Sequence, residues 1–298
     1  MIMAYMDKHQ IKVSKTKIYG LTRSYSLIGS MIASIVSIGL VLWLPEIRYL
    51  FLFAMIPYTL DLLLILSYPN YLNDRKDVKF SYKSFIRHGF ESIKYTMVKK
   101  NVRGAIFNSA SYQATFKSIK DYIQPILVAI SLSFVLFSSL SEEENTKVYI
   151  GLIYAVIYLI SAVSSKNAYR VKKIGKTRHI ISFMWLLTAV MMIALSLFLE
   201  SIWMVFLVFL SLYIMMNIRR PLMVEVIGDV SDPDKRATVL SVESQITSLL
   251  IVIGAPLIGL LAEYSMKSLF LSFGILMFII FISSLYFNYK NVKNPIDI

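Results

Sequence analysis

Cysteine is absent from the 298 residues. That excludes disulfides and any cysteine-based metal or redox site, and it leaves the redox compartment unread. Histidine is scarce. His9, His88 and His179 lie far apart and lack the spacing of metal ligands, so no metal site is expected. Charge is scarce too, at 16% of residues, where a soluble domain carries about 25%. Apolar residues take the vacated share: 57% are hydrophobic and mean hydropathy is +0.64. A core of this size cannot hide so many apolar side chains. The composition excludes disorder, collagen and a disulfide-stapled secreted module. It points to an all-α, polytopic membrane protein.

A helix needs about 20 apolar residues to cross a bilayer. Windows of that kind lie near 24–44, 49–68, 148–165, 179–199, 202–218, 239–262 and 267–287. A further one, about 122–140, is preceded by a polar helical stretch from Arg103, and 103–140 reads as one long, Pro-interrupted element. The expected bundle has about eight transmembrane helices. Gly39, Pro57, Gly254, Pro256 and Gly259 inside the spans suit membrane helices better than soluble ones. The first apolar run follows a polar, basic tail and is too long for a signal peptide.

Acidic residues are the rarer sign, 18 against 31 Lys and Arg, and net charge is +13. Of the 31, 26 fall in the two tails, in 69–103, in 166–178 and around 219–236; only Arg48, Lys147 and Lys267 fall in the alternate loops. Those loops are short and acidic, with Glu46, Glu142 to Glu144, Glu200 and Glu263. By the positive-inside rule both termini are expected in the cytoplasm of a plasma or inner membrane. The charge is thus an orientation signal, and nucleic acid is not expected as a partner. Within the long basic loop, Ile86, Phe90, Ile93 and Met97 recur at helical spacing beside Lys83, Arg87 and Lys94. This predicts an amphipathic helix lying on anionic lipid.

Ionisable and amide side chains within spans are costly and mark candidate sites. Ser109, Gln113, Lys117, Lys120 and Gln124 form one polar stripe on a helix, with Asp121 adjoining. Lys117 and Asp121 are four apart and can pair. The stripe is either a wall of a substrate pathway or a satisfied pair holding two helices together. A second polar face carries Ser241, Ser244, Gln245 and Ser248, with Glu243 near it; Glu243 is either a coupling or gate residue or, near the cytoplasmic end of its span, simply solvated or paired to Arg236. Asp61 lies deep in its span and must be protonated or paired across helices, as a proton-coupling carboxylate or as a structural hydrogen-bond partner. Arg219-Arg220-Pro221 closes the sixth span. The arginines can anchor the helix, gate the cytoplasmic mouth with Glu225, Asp229 or Asp232, or bind an anionic substrate. Met184, Met191, Met192, Phe278 and Phe281 read as packing.

Further motifs agree in order and spacing. They are Gly29 and Gly39 in a small-residue-rich helix; the 69–102 connector; Asp121-Tyr122-Ile123-Gln124-Pro125; Asn167-Ala168-Tyr169-Arg170 before Gly175-Lys176-Thr177-Arg178; Asn217-Ile218-Arg219-Arg220-Pro221; Arg236-Ala237-Thr238-Val239-Leu240-Ser241; and Ala255-Pro256-Leu257-Ile258-Gly259. In these the chain resembles the major facilitator superfamily of secondary transporters, whose members have twelve helices in two halves. Tyr169 departs from the acidic residue usual in the basic loop motif. Met1-Ile2-Met3-Ala4-Tyr5-Met6-Asp7 looks like the end of helix four, so the resemblance implies helices five to twelve. The divisions are then a remnant of the first half at 1–68, a cytoplasmic linker at 69–102, and the six-helix second half at 103–298. It also implies lipid-facing roles for 179–199 and 267–287, and a cavity lined by 103–125, 148–165, 202–228 and 239–262.

Enzyme motifs are lacking. Gly175-Lys176-Thr177 is no phosphate loop, because Arg170 stands where the first Gly belongs. A membrane enzyme for lipid or polyprenyl substrates would need converging carboxylates, His or Ser, and none is evident. The expected function is ion-gradient-driven permease or efflux transport of a small molecule, without a cofactor. The alternative is a truncated fragment that does not transport, or a half-transporter that needs a partner chain supplying the missing helices or self-association. An open polar groove bordered by Ser241, Ser244 and Gln245 is expected on the 103–288 bundle. Reporter fusions after Glu144 and after Lys176 are expected on opposite sides of the membrane; the same side for both would mean that the span count is wrong.

Overall fold

The computed structural model describes residue 6 and residues 13–68, 82–122, 125–126, 128–129 and 137–292. Gln124, the start 1–12 apart from Met6, most of the 122–140 span and the side chain of Ile86 lie outside the described residues. The described helices, in chain order, are α1 (Lys15–Trp43), α2 (Leu50–Leu66), α3 (Tyr82–Val98), α4 (Lys100–Lys120), α5 (Glu142–Val171), α6 (Thr177–Leu197), α7 (Ile202–Val230), α8 (Arg236–Tyr264) and α9 (Met266–Val292). Six of them, α1 and α5 to α9, are long and apolar enough to cross a membrane. α2 is apolar but shorter. α4 spans about 30 Å at 1.5 Å per residue, and only its polar stripe keeps it out of the apolar class. With α4, and with α3 as connector, these six spans and one shorter apolar helix make the helical membrane bundle among the described residues.

Local sequence sets the helix ends. Ser141 and Glu144 form a reciprocal capping box: the Ser141 hydroxyl accepts from the Glu144 N–H, and the Glu144 carboxylate accepts from the Ser141 N–H at 2.9 Å. Glu142, Glu143 and Glu144 put negative charge in the first turn, where the helix dipole favours it. The Ser201 hydroxyl caps α7 by accepting from the Met204 N–H. Pro221 does not end α7, which runs on to Val230. A proline in a membrane helix loses one backbone bond that its packed surroundings can absorb. Arg219 and Arg220 therefore lie inside the bundle, well short of the helix end.

One core is centred on Trp185, Met192, Phe209 and Phe270, where α5, α6, α7 and α9 meet. Another, nearer the basic end, joins Val102 and Ile106 of α4 to Ile227, Val239 and Val242. α6 and α9 pack along each other, and the hydroxyls of Ser182 and Ser284 share a hydrogen bond of 2.6 Å. Only their outer residues, such as Phe183, Val190, Phe278 and Ile282, are exposed; Met184 and Met192 are buried packing. Gly274 permits the approach, since a Cβ there would come within 2.6 Å of Ile193 Cγ1.

The expected amphipathic row lies on α3. Phe90 is 70% exposed and Ile93 is also exposed, the disposition an interfacial helix needs. Tyr95 ties α3 to the loop before α8. Its ring carries Lys99 and Lys235 at 4.6 and 4.3 Å, and its hydroxyl accepts from the Asp232 N–H. The Lys99 ammonium, 2.9 Å away, holds the Asp232 carboxyl below its ordinary range.

α1 packs against α5 along its length and touches α7. The contact is closest at Gly20, whose carbonyl accepts from the Ser165 hydroxyl at 3.1 Å. A Cβ at Gly20 would overlap the backbone oxygen of Ser165, whereas one at Gly39 meets nothing. Gly20→Ala is therefore expected to destabilise by about 1–3 kcal/mol through overpacking. Gly39→Ala should be neutral or stabilising, by up to ~1 kcal/mol. Thermal unfolding in detergent compares them, and equal effects would contradict this account of the α1–α5 contact.

Candidate functional site

Glu243 is fully buried. It lies seven residues into α8, about 10 Å from that helix's basic end. Arg220 Nη1 donates to its two carboxylate oxygens at 2.6 and 2.8 Å. The Ser109 hydroxyl and Gln113 Nε2, both from α4, donate to the same carboxylate. Three helices thus converge on one carboxylate. Glu243 is neither solvated nor paired to Arg236, whose Nε donates to the Gly228 carbonyl. The expectation failed because α8 begins at Arg236 and turns Glu243 inward, while Ser241, Ser244 and Gln245 face outward and are exposed. Ser244 donates back to the Leu240 carbonyl.

The stripe on α4 divides. Ser109 and Gln113 are buried under Glu243, so they do not form an open wall. Lys117 and Asp121 are exposed. The expected Lys117–Asp121 pair is not formed: α4 ends at Lys120, and Asp121 pairs with Lys120 instead.

Arg219 faces a different part of the bundle from Arg220, since adjacent helical residues are about 100° apart. Its side chain is buried without a carboxylate. Nη1 donates to the Ile181 carbonyl at 2.8 Å, and Nη2 donates to the Asn108 side-chain oxygen. The guanidinium lies 4.2 Å from the Tyr112 ring centroid and 5.3 Å from that of Trp185. Those rings stack edge to face at 4.9 Å. Aromatic faces attract a cation most when water is excluded. Nε of Arg219 is buried with no hydrogen-bond partner among the described residues.

Arg23 of α1 meets α7 nearby, its Nε donating to the Asn217 side-chain oxygen at 2.7 Å. Asn217 in turn donates to the Tyr213 carbonyl. In the sequence Arg23 reads as part of the basic tail, because the apolar window starts at 24. The helix starts at Lys15, which puts Arg23 about 12 Å in. Tyr112 and Trp185 carry no sequence signal as cation partners, since only tertiary packing brings them to Arg219.

The expected gate partners are engaged elsewhere. Glu225 pairs with Lys172 at 2.8 Å and accepts from Thr16; Asp229 pairs with Lys15 at 2.9 Å, and Asp232 pairs with Lys99. None of them meets Arg219 or Arg220. Asp61 is exposed on α2, a helix with no buried residue, and has no cross-helix partner among the described residues.

This pattern of spanning helices with a buried ionic cluster agrees with the outcome of comparison: the Major Facilitator Superfamily model matches residues 122–297, more than half of the chain. The chain belongs to the Major Facilitator Superfamily. No curated protein and no solved structure matches it. It is accordingly an integral, multi-pass membrane protein of a transporter superfamily, and membership points to transport rather than enzymatic catalysis. The match takes in Arg219, Arg220 and Glu243 and starts beyond Arg23, Ser109 and Gln113.

Removing one partner of a buried ion pair strands the other, at a cost of about 3–5 kcal/mol. Arg220→Met alone, leaving Glu243 unpaired, is therefore expected to lower stability sharply. The double change Arg220→Met with Glu243→Leu should do less harm, because neither charge remains. Exposed Lys117→Ala should change little. Thermal unfolding of the three variants tests this, and a double variant worse than Arg220→Met would argue against a paired cluster.

Proposed function

We propose that the chain is a secondary active transporter of a small molecule, driven by an ion gradient, with both termini and the basic loops in the cytoplasm. The observation that carries this reading is Glu243. A carboxylate in a spanning helix is retained at considerable cost and faces a bundle interior or a pathway. Here it takes donors from α4 and α7, so a change in its protonation alters bonds to two neighbouring helices at once. That supports Glu243 as the coupling residue and Ser109, Gln113 and Arg220 as its reporters. The alternation of basic and acidic loops along the chain supports the orientation.

A second reading is that transport needs further helices, from a partner chain or a second copy. Asp61 favours it, since an intramembrane carboxylate is expected to face other protein, and α2 buries none of its residues.

One experiment addresses both readings. The purified chain in proteoliposomes is screened for uptake of a panel of radiolabelled small molecules under an imposed proton or sodium gradient. Gradient-dependent accumulation, abolished in Glu243→Gln, is expected. Flux indifferent to both gradients, or unchanged in Glu243→Gln, would overturn the coupling role. Activity confined to a cross-linked dimer would favour the second reading.

A further inference from the structure

The basic half of the bundle interior holds an excess of fixed positive charge. Arg23, Arg219 and Arg220 lie about 12–17 Å in from the helix ends, by 1.5 Å per residue. Among the described residues, Glu243 is the carboxylate that faces them. The other carboxylates of this end are taken up by lysines: Glu225 by Lys172, Asp229 by Lys15 and Asp232 by Lys99. Arginine does not lose its proton in proteins, so the excess cannot titrate away.

The three guanidiniums are used differently. Arg219 is clamped by two carbonyls, an amide oxygen and two aromatic faces. It is enclosed, and it contributes field rather than contact. Arg220 spends one nitrogen, Nη1, on Glu243; its Nε and Nη2 donate to nothing among the described residues, and its side chain is 18% exposed. Arg23 spends Nε on the neutral Asn217 and leaves both terminal nitrogens without a protein acceptor among those residues. Arg23 reaches α7 at Asn217, which lies three residues, and so one turn, from Arg220 on the same helix. The two arginines approach from different helices, α1 and α7. Two like charges held together in a water-poor interior need a counter-ion, and guanidinium forks fit the paired oxygens of carboxylate and phosphate.

We propose that the transported molecule is an anion bearing a carboxylate or phosphate group, held between Arg23 and Arg220. This rests on the transport reading above and names its substrate class. The anion takes the Nε and Nη2 of Arg220 that Glu243 leaves unused, together with the terminal nitrogens of Arg23, and so supplies the counter-charge that Glu243 alone does not.

The test is equilibrium binding to the purified full chain in detergent, followed by thermal unfolding. Inorganic phosphate, succinate and benzoate are the anionic probes, separating the phosphate from the carboxylate source. Glucose and tetraphenylphosphonium are the neutral and cationic controls. At least one anion is expected to raise the unfolding midpoint saturably, and the controls are not. Arg23→Gln should weaken that anion about ten-fold or more without lowering the midpoint of the ligand-free protein, because Arg23 has no carboxylate to strand. Arg220→Lys keeps the counter-charge of Glu243 while removing the fork, and should also weaken binding. Absence of a shift with every anion, a shift with glucose or tetraphenylphosphonium, or undiminished affinity in both variants would overturn the proposal. Binding needs no gradient. An anion that binds but is not accumulated would overturn the transport reading and leave the anion site between Arg23 and Arg220 standing, whereas gradient-driven accumulation of a neutral or cationic solute would uphold transport and overturn the anionic substrate.

Discussion

The interior of this bundle depends on the cost of a charge in a medium that cannot solvate it. Glu243 is buried in a spanning helix, and it is tolerable only because Arg220, Ser109 and Gln113 reach it. Those partners come from α7 and α4. In lipid there is no hydrophobic force to press helices together, so association depends on packing and on polar contacts. The carboxylate therefore fixes the lateral order of α4, α7 and α8 at that depth. It also sets their axial register, since a shift of one turn, about 5.4 Å, would move Arg220 out of hydrogen-bond reach. The apolar core around Val239, Val242 and Ile246 sits beside it and seals it from water.

Arg219 shows the same constraint met without a counter-ion. Carbonyl oxygens of Ile181 and Asn108 and the faces of Tyr112 and Trp185 spread its charge over neutral groups. Such partners cannot be protonated away near neutral pH, so this cation is permanent. Glu243 differs because protonation removes its charge. Adjacent arginines on one helix thus have opposite roles. One is held by neutral groups alone, and the other is held by a carboxylate.

The apolar windows and the alternation of basic and acidic loops located most helices from sequence, because bilayer thickness and charge asymmetry act on local composition. Helix ends were less legible. Hydropathy fades at Arg219 and near Ser241, yet α7 continues to Val230 and α8 starts at Arg236. Helical hydrogen bonding continues wherever neighbouring helices supply partners, and windowed composition does not register that. The error placed Arg219, Arg220 and Glu243 at the membrane surface, whereas they lie in the interior. The stripe on α4 was visible as a period, but a period does not say where its partner helix stops. Ser109 and Gln113 lie against Glu243, while Lys117 and Asp121 extend beyond it. Arg23 was hidden by its place just before an apolar run, and the ring pair around Arg219 by its purely tertiary origin.

Bond strengths also follow a gradient from the basic mouth inward. Lys15–Asp229 and Lys99–Asp232 are partly exposed pairs, and pairs of that kind contribute about 0–1 kcal/mol each. Water can replace them as they part. Lys172, Glu225 and Thr16 are more enclosed, and Arg220–Glu243 is the most enclosed of all. Separation of α1 from α7 at the mouth would therefore meet little ionic resistance until it reached Arg23 and Asn217. There the bond runs from a cation to a neutral amide, which leaves the charge on Arg23 uncompensated whether the helices are together or apart. A bond of that type favours closure only weakly. An anion bridging Arg23 and Arg220 would add a charge-assisted contact to each helix, so its binding energy would fall on the one α1–α7 contact whose own charge is unbalanced.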